Sequence, residues 1–327
     1  MENTLTNKKK IVTIGGGSGQ FALLSGLREV DDLDITAIVA MVDSGGSTGR
    51  LRDELGALPP GDILKCILAL SRHGDIARNI LLKRFARDRR LQGHNAGNML
   101  LTMLSRYTGS FPAGINALAE ILDTRGTILP VTIDRATLVA VLTDGTRIFG
   151  EAAIDIPDIS QRAAIRDVYL VPHHHDSISV YPPVLDAIAE SETIIIGPGD
   201  LFTSILPNLI VPGVKEALQA TRANIFFVVN IMTKFGETHH FAARDFAARL
   251  EKAMEHKLEG YIYNTRRPDQ TILERYQQQQ ARFVNIDDSL DFWKNRTIHA
   301  ADLLDTAGGI VRHDSIKLAA LLKNLMI

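Results

Sequence analysis

The sequence has a single cysteine, Cys66, among 327 residues, and this scarcity excludes an internal disulfide. Cys66 stands in the apolar helical pattern "ILKCILAL", where a small buried side chain is its expected role. The chain also lacks a run of 18 apolar residues, and it begins with the polar segment "MENTLTNKKK". Neither membrane insertion nor a signal peptide is therefore predicted, and the expected location is the cytoplasm.

The sequence also lacks an excess of charge of either sign. The 36 basic and 38 acidic side chains nearly cancel, and like charges cluster only at Lys8–Lys10 and Arg87–Arg90. A nucleic-acid partner is therefore not predicted. The run His173, His174, His175 and Asp176 favours a surface loop over a metal site, because neighbours on an extended chain point to opposite sides.

The sequence does have an alternation of apolar strands and amphipathic helices. Continuous apolar runs such as "KIVTIGGG", "ITAIVAMV", "ETIIIGPGD" and "NIFFVVNIM" are each followed by a helical pattern. Strands that are apolar on both faces indicate burial between two layers of helices. The sequence therefore predicts an α/β fold with a doubly wound, mostly parallel, Rossmann-like sheet, in which ligands bind at the carboxyl ends of the strands.

Two segments depart from this alternation. Helical patterns fill residues 62–123, which predicts a helical insert, and a turn at Asp144 and Gly145 predicts a small antiparallel hairpin that caps or extends the main sheet. A long helix is predicted from Ser204 to Ala220, and a late strand at "RFVNI". No linker is evident, so one domain over residues 1–327 is expected.

Two glycine-rich loops follow the first two predicted strands. Gly15–Gly19 joins a strand to a helix, where backbone N–H groups can hold an anion, and Gly17–Ala22 with Asp43 also satisfies a dinucleotide-binding pattern. A tight turn without a ligand is the alternative. Gly45–Gly49 forms a second candidate anion loop, and Arg50 could pair with a phosphate or instead with the acids that follow it. The predicted ligand residues here are Gly15, Gly16, Gly17, Ser18, Gly19, Asp43, Ser44, Gly45, Gly46, Ser47, Thr48 and Arg50.

Three further polar segments also fall at predicted strand ends or helix starts. Each alone could be a turn with a helix cap, but a doubly wound sheet gathers its strand ends on one edge. Their candidate ligand residues are His94, Asn95, Asn98, Gly197, Gly199, Asp200, Thr203, Ser204, Asn230, Thr233 and Glu237.

The order of these segments resembles the CofD-like superfamily, and within it the bacterial gluconeogenesis-factor branch of YvcK-type UDP-sugar-binding proteins. The matching segments include "TIGGGSG", "VDSGGSTGRLRDELGALPPGD", "GHNAGNMLL", "GPGDLFTSILPNLIVPGV", "NIMTKFGET" and "VRHDSIKLA". They span about residues 11 to 320 in the same order. That collinear match is far more specific than any one glycine motif.

The resemblance implies a nucleotide-diphosphate ligand such as UDP-N-acetylglucosamine, and a role in carbon metabolism and cell-envelope homeostasis. It also implies contacts from Tyr276 and Arg312, although both could be ordinary surface residues. The superfamily's enzyme, 2-phospho-L-lactate transferase, uses magnesium, so Mg²⁺ with a nucleotide-diphosphate ligand is an alternative, with Asp43 as metal ligand or base. Ser44 stands where the family usually has a second acid, which leaves catalysis open. An NAD-dependent oxidoreductase is a weaker alternative, and a homodimer is compatible with the sequence.

Overall fold

The computed structural model describes residues 8–55, 57–86, 91–157, 162–173, 177–286 and 291–326, with the backbone alone for 52–55. Its strands are β1 (Lys9–Gly15), β2 (Leu33–Val39), β3 (Thr127–Pro130), β4 (Ala136–Leu142), β5 (Arg147–Phe149), β6 (Ile165–Pro172), β7 (Thr193–Ile196), β8 (Asn224–Val228), β9 (Gly260–Asn264), β10 (Ile298–Ala301), β11 (Leu304–Asp305) and β12 (Arg312–His313). Its helices are α1 (Gly17–Leu27), α2 (Gly46–Leu55), α3 (Gly61–Leu70), α4 (Gly74–Leu81), α5 (Ala96–Tyr107), α6 (Phe111–Ile121), α7 (Glu151–Asp155), α8 (Pro182–Glu190), α9 (Leu206–Leu209), α10 (Val214–Ala220), α11 (Ala243–Met254), α12 (Gln270–Gln278) and α13 (Ser315–Met326). The cluster Arg87–Arg90 and the residues His174, His175 and Asp176 lie outside the described part of the chain.

Seven parallel strands form the central sheet, in the order β10-β9-β8-β7-β1-β2-β3. The chain runs outward from β1 to β3, then returns to the other side of β1 and continues outward from β7. All residues of β7 are buried, as are the last five of β1, which agrees with a sheet flanked by helices. The doubly wound fold predicted from the sequence is confirmed, and its winding reverses between β1 and β7. Sheets of this kind bind ligands at that reversal.

The predicted helical insert lies between β2 and β3 as α3 to α6, and a further helix, α2, precedes it. The sequence predicted an open loop at the second glycine segment, Gly45–Gly49. Because α2 begins at Gly46, this segment instead forms the first turn of a helix. The N–H of Gly49 donates to the carbonyl of Gly45 at 3.0 Å. Three glycines in five residues hid this helix, since glycine disfavours the helical state.

The predicted hairpin at Asp144 and Gly145 is confirmed, with Gly145 at a φ of 90°. It does not extend the central sheet, however. β4 pairs on its other edge with β6, so β5, β4 and β6 make a separate antiparallel sheet. The strand β6 was not predicted, because charged Arg166 and Asp167 interrupt its apolar residues.

Two predicted elements of the second half are broken. The helix expected over 204–220 consists of a π-helical turn at Leu201–Ile205, then α9 and α10. Gly213, at a φ of 99°, starts a new helix where the long one was expected to continue. Residues of the predicted strand "RFVNI" form only an isolated bridge, between Phe283 and Met232.

A buried glutamine, Gln20, joins the layers beneath the first glycine loop. Its Nε2 donates to the carbonyl and hydroxyl oxygens of Thr13 at 3.4 and 3.2 Å, and to the carbonyl of Ile38 at 3.1 Å. The thiol of Cys66 donates to its Oε1 at 3.5 Å. Cys66 is fully buried, as predicted, and burial raises the pKa of its thiol. Within the described ranges, no helix is both long and apolar enough to cross a membrane.

Candidate functional site

The loops after β1 and β7 touch at the point where the sheet reverses direction. A Cβ atom on Gly19 would lie 2.3 Å from the carbonyl oxygen of Pro198, so only glycine permits this approach. The helix α1 begins at Gly17, and the residue at its N-cap position, Gly16, has no side chain that could accept from the first N–H groups. The first N–H groups of a helix have no intrahelical acceptor, and they carry the positive end of its dipole. This edge of the sheet therefore offers donors to an anion.

A cleft of about 520 Å³ opens from these two loops. It is also lined by residues that follow β8 and by residues of α12 and β12. It thus gathers five widely separated segments of the predicted site. The predicted residues that line it are Gly16, Gly17, Ser18, Gly19, Gly199, Asp200, Ser204, Asn230, Thr233, Tyr276 and Arg312. Gly15 ends β1 and Gly197 directly follows β7, while Thr203 and Glu237 are buried beside the cleft.

Tyr276 and β12, which both line the cleft, are joined by a hydrogen bond. The N–H of Val311 donates to Oη of Tyr276 at 2.9 Å. The next residue, Arg312, lies opposite Asp305 in the backbone pairing of β12 with β11. Tyr276 is half-buried, whereas Arg312 is exposed. The aromatic ring is therefore fixed in place beside a cation that reaches solvent.

A lysine-centred group of acids lies on the floor of the cleft. Nζ of Lys234 contacts Asp155, and it lies 2.8 Å from Oδ2 of Asp200 and 3.1 Å from Oε1 of Glu237. The three acids have oxygens within 4.8 Å of one another, a spacing that could hold a metal ion. The ammonium of Lys234 lies among the three carboxyl groups and offsets one unit of their negative charge.

Burial sets the protonation of this group. Burial, together with the charge of Asp200, raises the pKa of Glu237. Burial alone would lower the pKa of Lys234, but the charges of Glu237, Asp200 and Asp155 raise it. The lysine therefore stays charged. The sequence prediction included Asp200 and Glu237 but omitted Lys234 and Asp155, although Lys234 stands inside the quoted segment "NIMTKFGET".

The second glycine segment, Gly45–Gly49, does not line this cleft. The acid that precedes it, Asp43, instead forms a second acidic group with Asp62. Oδ1 of Asp43 accepts from the N–H of Gly45 at 2.9 Å. Burial, followed by the charge of Asp62, raises the pKa of Asp43. Asp62 is paired with Lys65 at 2.9 Å. A Cβ atom on Gly61 would lie 2.4 Å from Oδ2 of Asp43, so the start of α3 presses against this carboxylate.

Asp62 was placed in the helical insert by the sequence reasoning rather than in the site. A Cβ atom on Gly16 would lie 2.7 Å from its Oδ2, so Asp62 contacts the first glycine loop as well as the second acidic group. The acid that ends "PPGD", directly at a helix start, was the available clue.

The segment "GHNAGN" supports α2 instead of reaching the cleft. Oδ1 of Asn95 accepts from the N–H of Asn98 at 2.7 Å and so caps α5. His94 contacts Ser47 at 3.1 Å, and Nδ2 of Asn98 donates to Oγ1 of Thr48 at 3.4 Å. These side chains hold the first turn of α2.

Arg50 is likewise engaged within the protein. Its Nη2 donates to the carbonyl of Gln92 at 2.6 Å, and a Cβ atom on Gly93 would lie 2.6 Å from the same nitrogen. It therefore ties α2 to the segment that precedes α5. Its two expected acidic partners, Asp53 and Glu54, have side chains outside the described set.

A doubly wound sheet with a glycine-rich helix start at its reversal, opening into a polar cleft, defines a Rossmann-like α/β protein. The family model described as 2-phospho-L-lactate transferase CofD matches residues 11–304. The chain belongs to this CofD family, as the order of its motifs indicated.

Relatives of known name and structure cover nearly the whole chain. It is 36% identical to the putative gluconeogenesis factor of Thermotoga maritima, over 97% of this chain and 99% of that one. It is also 36% identical to the gluconeogenesis factor of Bacillus subtilis, over 98% of each chain. The crystal structure of protein BH3568 from Bacillus halodurans superposes with a TM-score of 0.90 at 32% identity, over 96% of this chain and 99% of that one. The curated names support a role in carbon metabolism.

Proposed function

We propose that the protein binds a nucleotide-diphosphate sugar of the UDP-N-acetylglucosamine type, and that binding regulates carbon metabolism and cell-envelope homeostasis. The observation that carries the proposal is the joining, in one cleft, of an anion-binding helix start with a fixed aromatic ring and a cation. Such a ligand can use all three, because backbone donors and a cation suit its diphosphate and an aromatic ring suits its base.

The diphosphate is assigned to the loop Gly16–Gly19 and the first turn of α1. Its negative charge is favoured there by backbone N–H groups and the helix dipole, and glycines let it approach the backbone closely. Arg312 forms no ion pair with any residue that the structure describes, so it remains available as a counter-charge. Arginine suits this role because its guanidinium binds phosphate with two parallel hydrogen bonds.

The base is assigned to the ring of Tyr276, whose hydroxyl is already engaged by Val311. Stacking uses the face of the ring and is compatible with that hydrogen bond. The sugar is assigned to the floor of the cleft, where the carboxylates of Asp155 and Asp200 can accept hydrogen bonds from hydroxyl groups.

Calorimetry with UDP-N-acetylglucosamine, UDP, GDP and NAD⁺ tests the proposal. Heat of binding with both uridine ligands, and loss of affinity in Tyr276→Ala, is the expected result. Lys317→Ala, a change outside the cleft lining, is the matched control and should bind normally. No binding of either uridine ligand contradicts the proposal.

A second candidate function is transfer of a phosphorus-containing group from a nucleotide-diphosphate donor. Asp43 and Asp62 favour it, because neighbouring half-buried carboxylates repel each other and would be stabilised by a divalent cation. These two side chains would hold Mg²⁺, which would neutralise charge on the phosphates. Magnesium-dependent release of a nucleoside monophosphate, abolished by Asp43→Asn, is the required result. Absence of turnover with every donor leaves binding as the function.

The position of Asp43 argues against an NAD-dependent oxidoreductase. In such an enzyme Asp43 would bind the ribose beside the first glycine loop. The cleft lining does not include Asp43, whose carboxylate is bonded to Gly45 and pressed by Gly61. The same calorimetry tests this alternative with NAD⁺.

A further inference from the structure

His313 is a buried polar residue in the wall of the cleft, and the sequence reasoning gave it no role. It is the second residue of β12 and pairs with Leu304 of β11. Only 8% of its surface is exposed, yet it lines the cleft beside Arg312. A polar ring in such a position ordinarily has hydrogen-bond partners for both nitrogens.

One of its two nitrogens has no such partner. The ring is hydrogen-bonded to the backbone of Val229, while Nε2 is buried without any partner. By elimination, Nδ1 faces Val229. A ring N–H that donates to a carbonyl fixes the tautomer and leaves a lone pair on the other nitrogen. Nε2 is therefore a hydrogen-bond acceptor.

Burial reinforces this state of the ring. It lowers the pKa of His313 to about 4, an effect only partly offset by the hydrogen bond to Val229. The imidazole is therefore neutral at physiological pH. A neutral acceptor repels phosphate oxygens, which separates its task from that of Gly16–Gly19.

We infer that Nε2 of His313 accepts a hydrogen bond from an N–H or O–H group of the bound nucleotide sugar, and that this contact selects the ligand. The inference rests on the proposed function and adds a selection rule to it. A donor such as the imide N–H of uracil fits this position, whereas the N3 lone pair of cytosine does not. The ribose hydroxyls and the amide of an N-acetylated sugar offer the same donor chemistry.

Calorimetry on the wild type and on His313→Phe tests the inference, because phenylalanine keeps a planar ring and removes the acceptor. The ligands are UDP, N3-methyl-UDP, 2′-deoxy-UDP and UDP-N-acetylglucosamine. We expect removal of the relevant donor to weaken wild-type binding by roughly tenfold to a hundredfold, the cost of an unpaired buried polar group. In His313→Phe that discrimination should vanish. The ligand pair that shows it identifies the donor as base, ribose or sugar.

His299→Phe is the matched control, since His299 is a partly buried histidine outside the cleft lining. It should retain the wild-type preferences. Unchanged discrimination in His313→Phe, with all ligands weakened equally, overturns the inference and leaves a structural role. Equal wild-type affinity for every analogue also overturns it, whatever the stability of the variant. No wild-type binding of any uridine ligand contradicts the proposed function as well, so the two failures are distinguishable.

Discussion

Ser44 and Glu151 bind each other across the boundary between the central sheet and the small antiparallel sheet. The N–H of Ser44 donates to Oε2 of Glu151 at 3.2 Å, while Oγ of Ser44 accepts from the N–H of Ala152 at 3.0 Å. Ser44 therefore caps α7 from a distant segment of the chain. Where the family resemblance places a second acid, this chain has a helix cap, and Glu151 brings a carboxylate near Asp43 instead.

Replacing Ser44 by alanine should destabilise the fold by about 1 kcal/mol, the usual effect of losing a helix cap. Urea denaturation measures the loss. Ser110→Ala is the matched comparison, because Ser110 caps α6 by the same hydrogen bond, to Ala113 at 3.2 Å. A Ser44→Ala variant as stable as the wild type would show that the cap contributes nothing.

Glu151 should make the protein less stable as the pH rises. Burial, followed by the charge of Asp43, raises the pKa of Glu151 from 4.5 to about 7. Its contribution to stability is therefore complete below pH 4.5 and is lost as the pH rises through 7. Between pH 5 and pH 8 the wild type should lose about 2 kcal/mol more stability than Glu151→Gln, which cannot ionise. Denaturation curves at both pH values check this, and parallel losses in the two proteins contradict it.

Lys234→Met should leave the carboxylates of Asp155, Asp200 and Glu237 without their cation. The expected cost is on the order of 2 kcal/mol, below that of a fully buried pair because Lys234 is about a third exposed. Adding Glu237→Gln should restore part of the stability. Lys215→Met is the control, since Lys215 forms a surface pair with Glu255. Equal losses from the two lysines would refute a special role for Lys234.

The contact between the first glycine loop and the loop after β7 can be tested with one methyl group. Gly19→Ala places a Cβ atom 2.3 Å from the carbonyl of Pro198, so the loops must separate. We expect a loss of about 1–3 kcal/mol and weaker nucleotide binding. Gly45→Ala is matched in chemistry, but its Cβ would lie 3.5 Å from Oδ1 of Asp43, an ordinary contact distance, and should be tolerated. Thermal melting of both variants distinguishes a local clash from a general effect of alanine.

The central sheet could be predicted from the sequence because most of its strands contain a continuous apolar run. The antiparallel strand β6 could not, since Arg166 and Asp167 interrupt its pattern, and its pairing with β4 forms only in the folded chain. Local propensity also misjudged α2, where glycines open a helix that His94 and Asn98 hold in place.

The residues around the cleft were partly predictable for a similar reason. Polar groups at strand ends can be recognised one segment at a time, and Asp200 was recognised in this way. The charge balance between segments cannot be, because Asp155 and Lys234 meet only in the folded chain. His313 shows the same limit: its unpaired nitrogen is evident only once Val229 and the cleft are in place.

The hydrogen bond between Cys66 and Gln20 gives the unmodified protein an internal reporter. Because the only thiol of the chain is fully buried, a thiol reagent can label it only when the layer between α1 and α3 opens. The labelling rate therefore measures the frequency of that opening. A ligand that binds at the start of α1 should slow the reaction in proportion to its occupancy, so ligands can be ranked without any added probe.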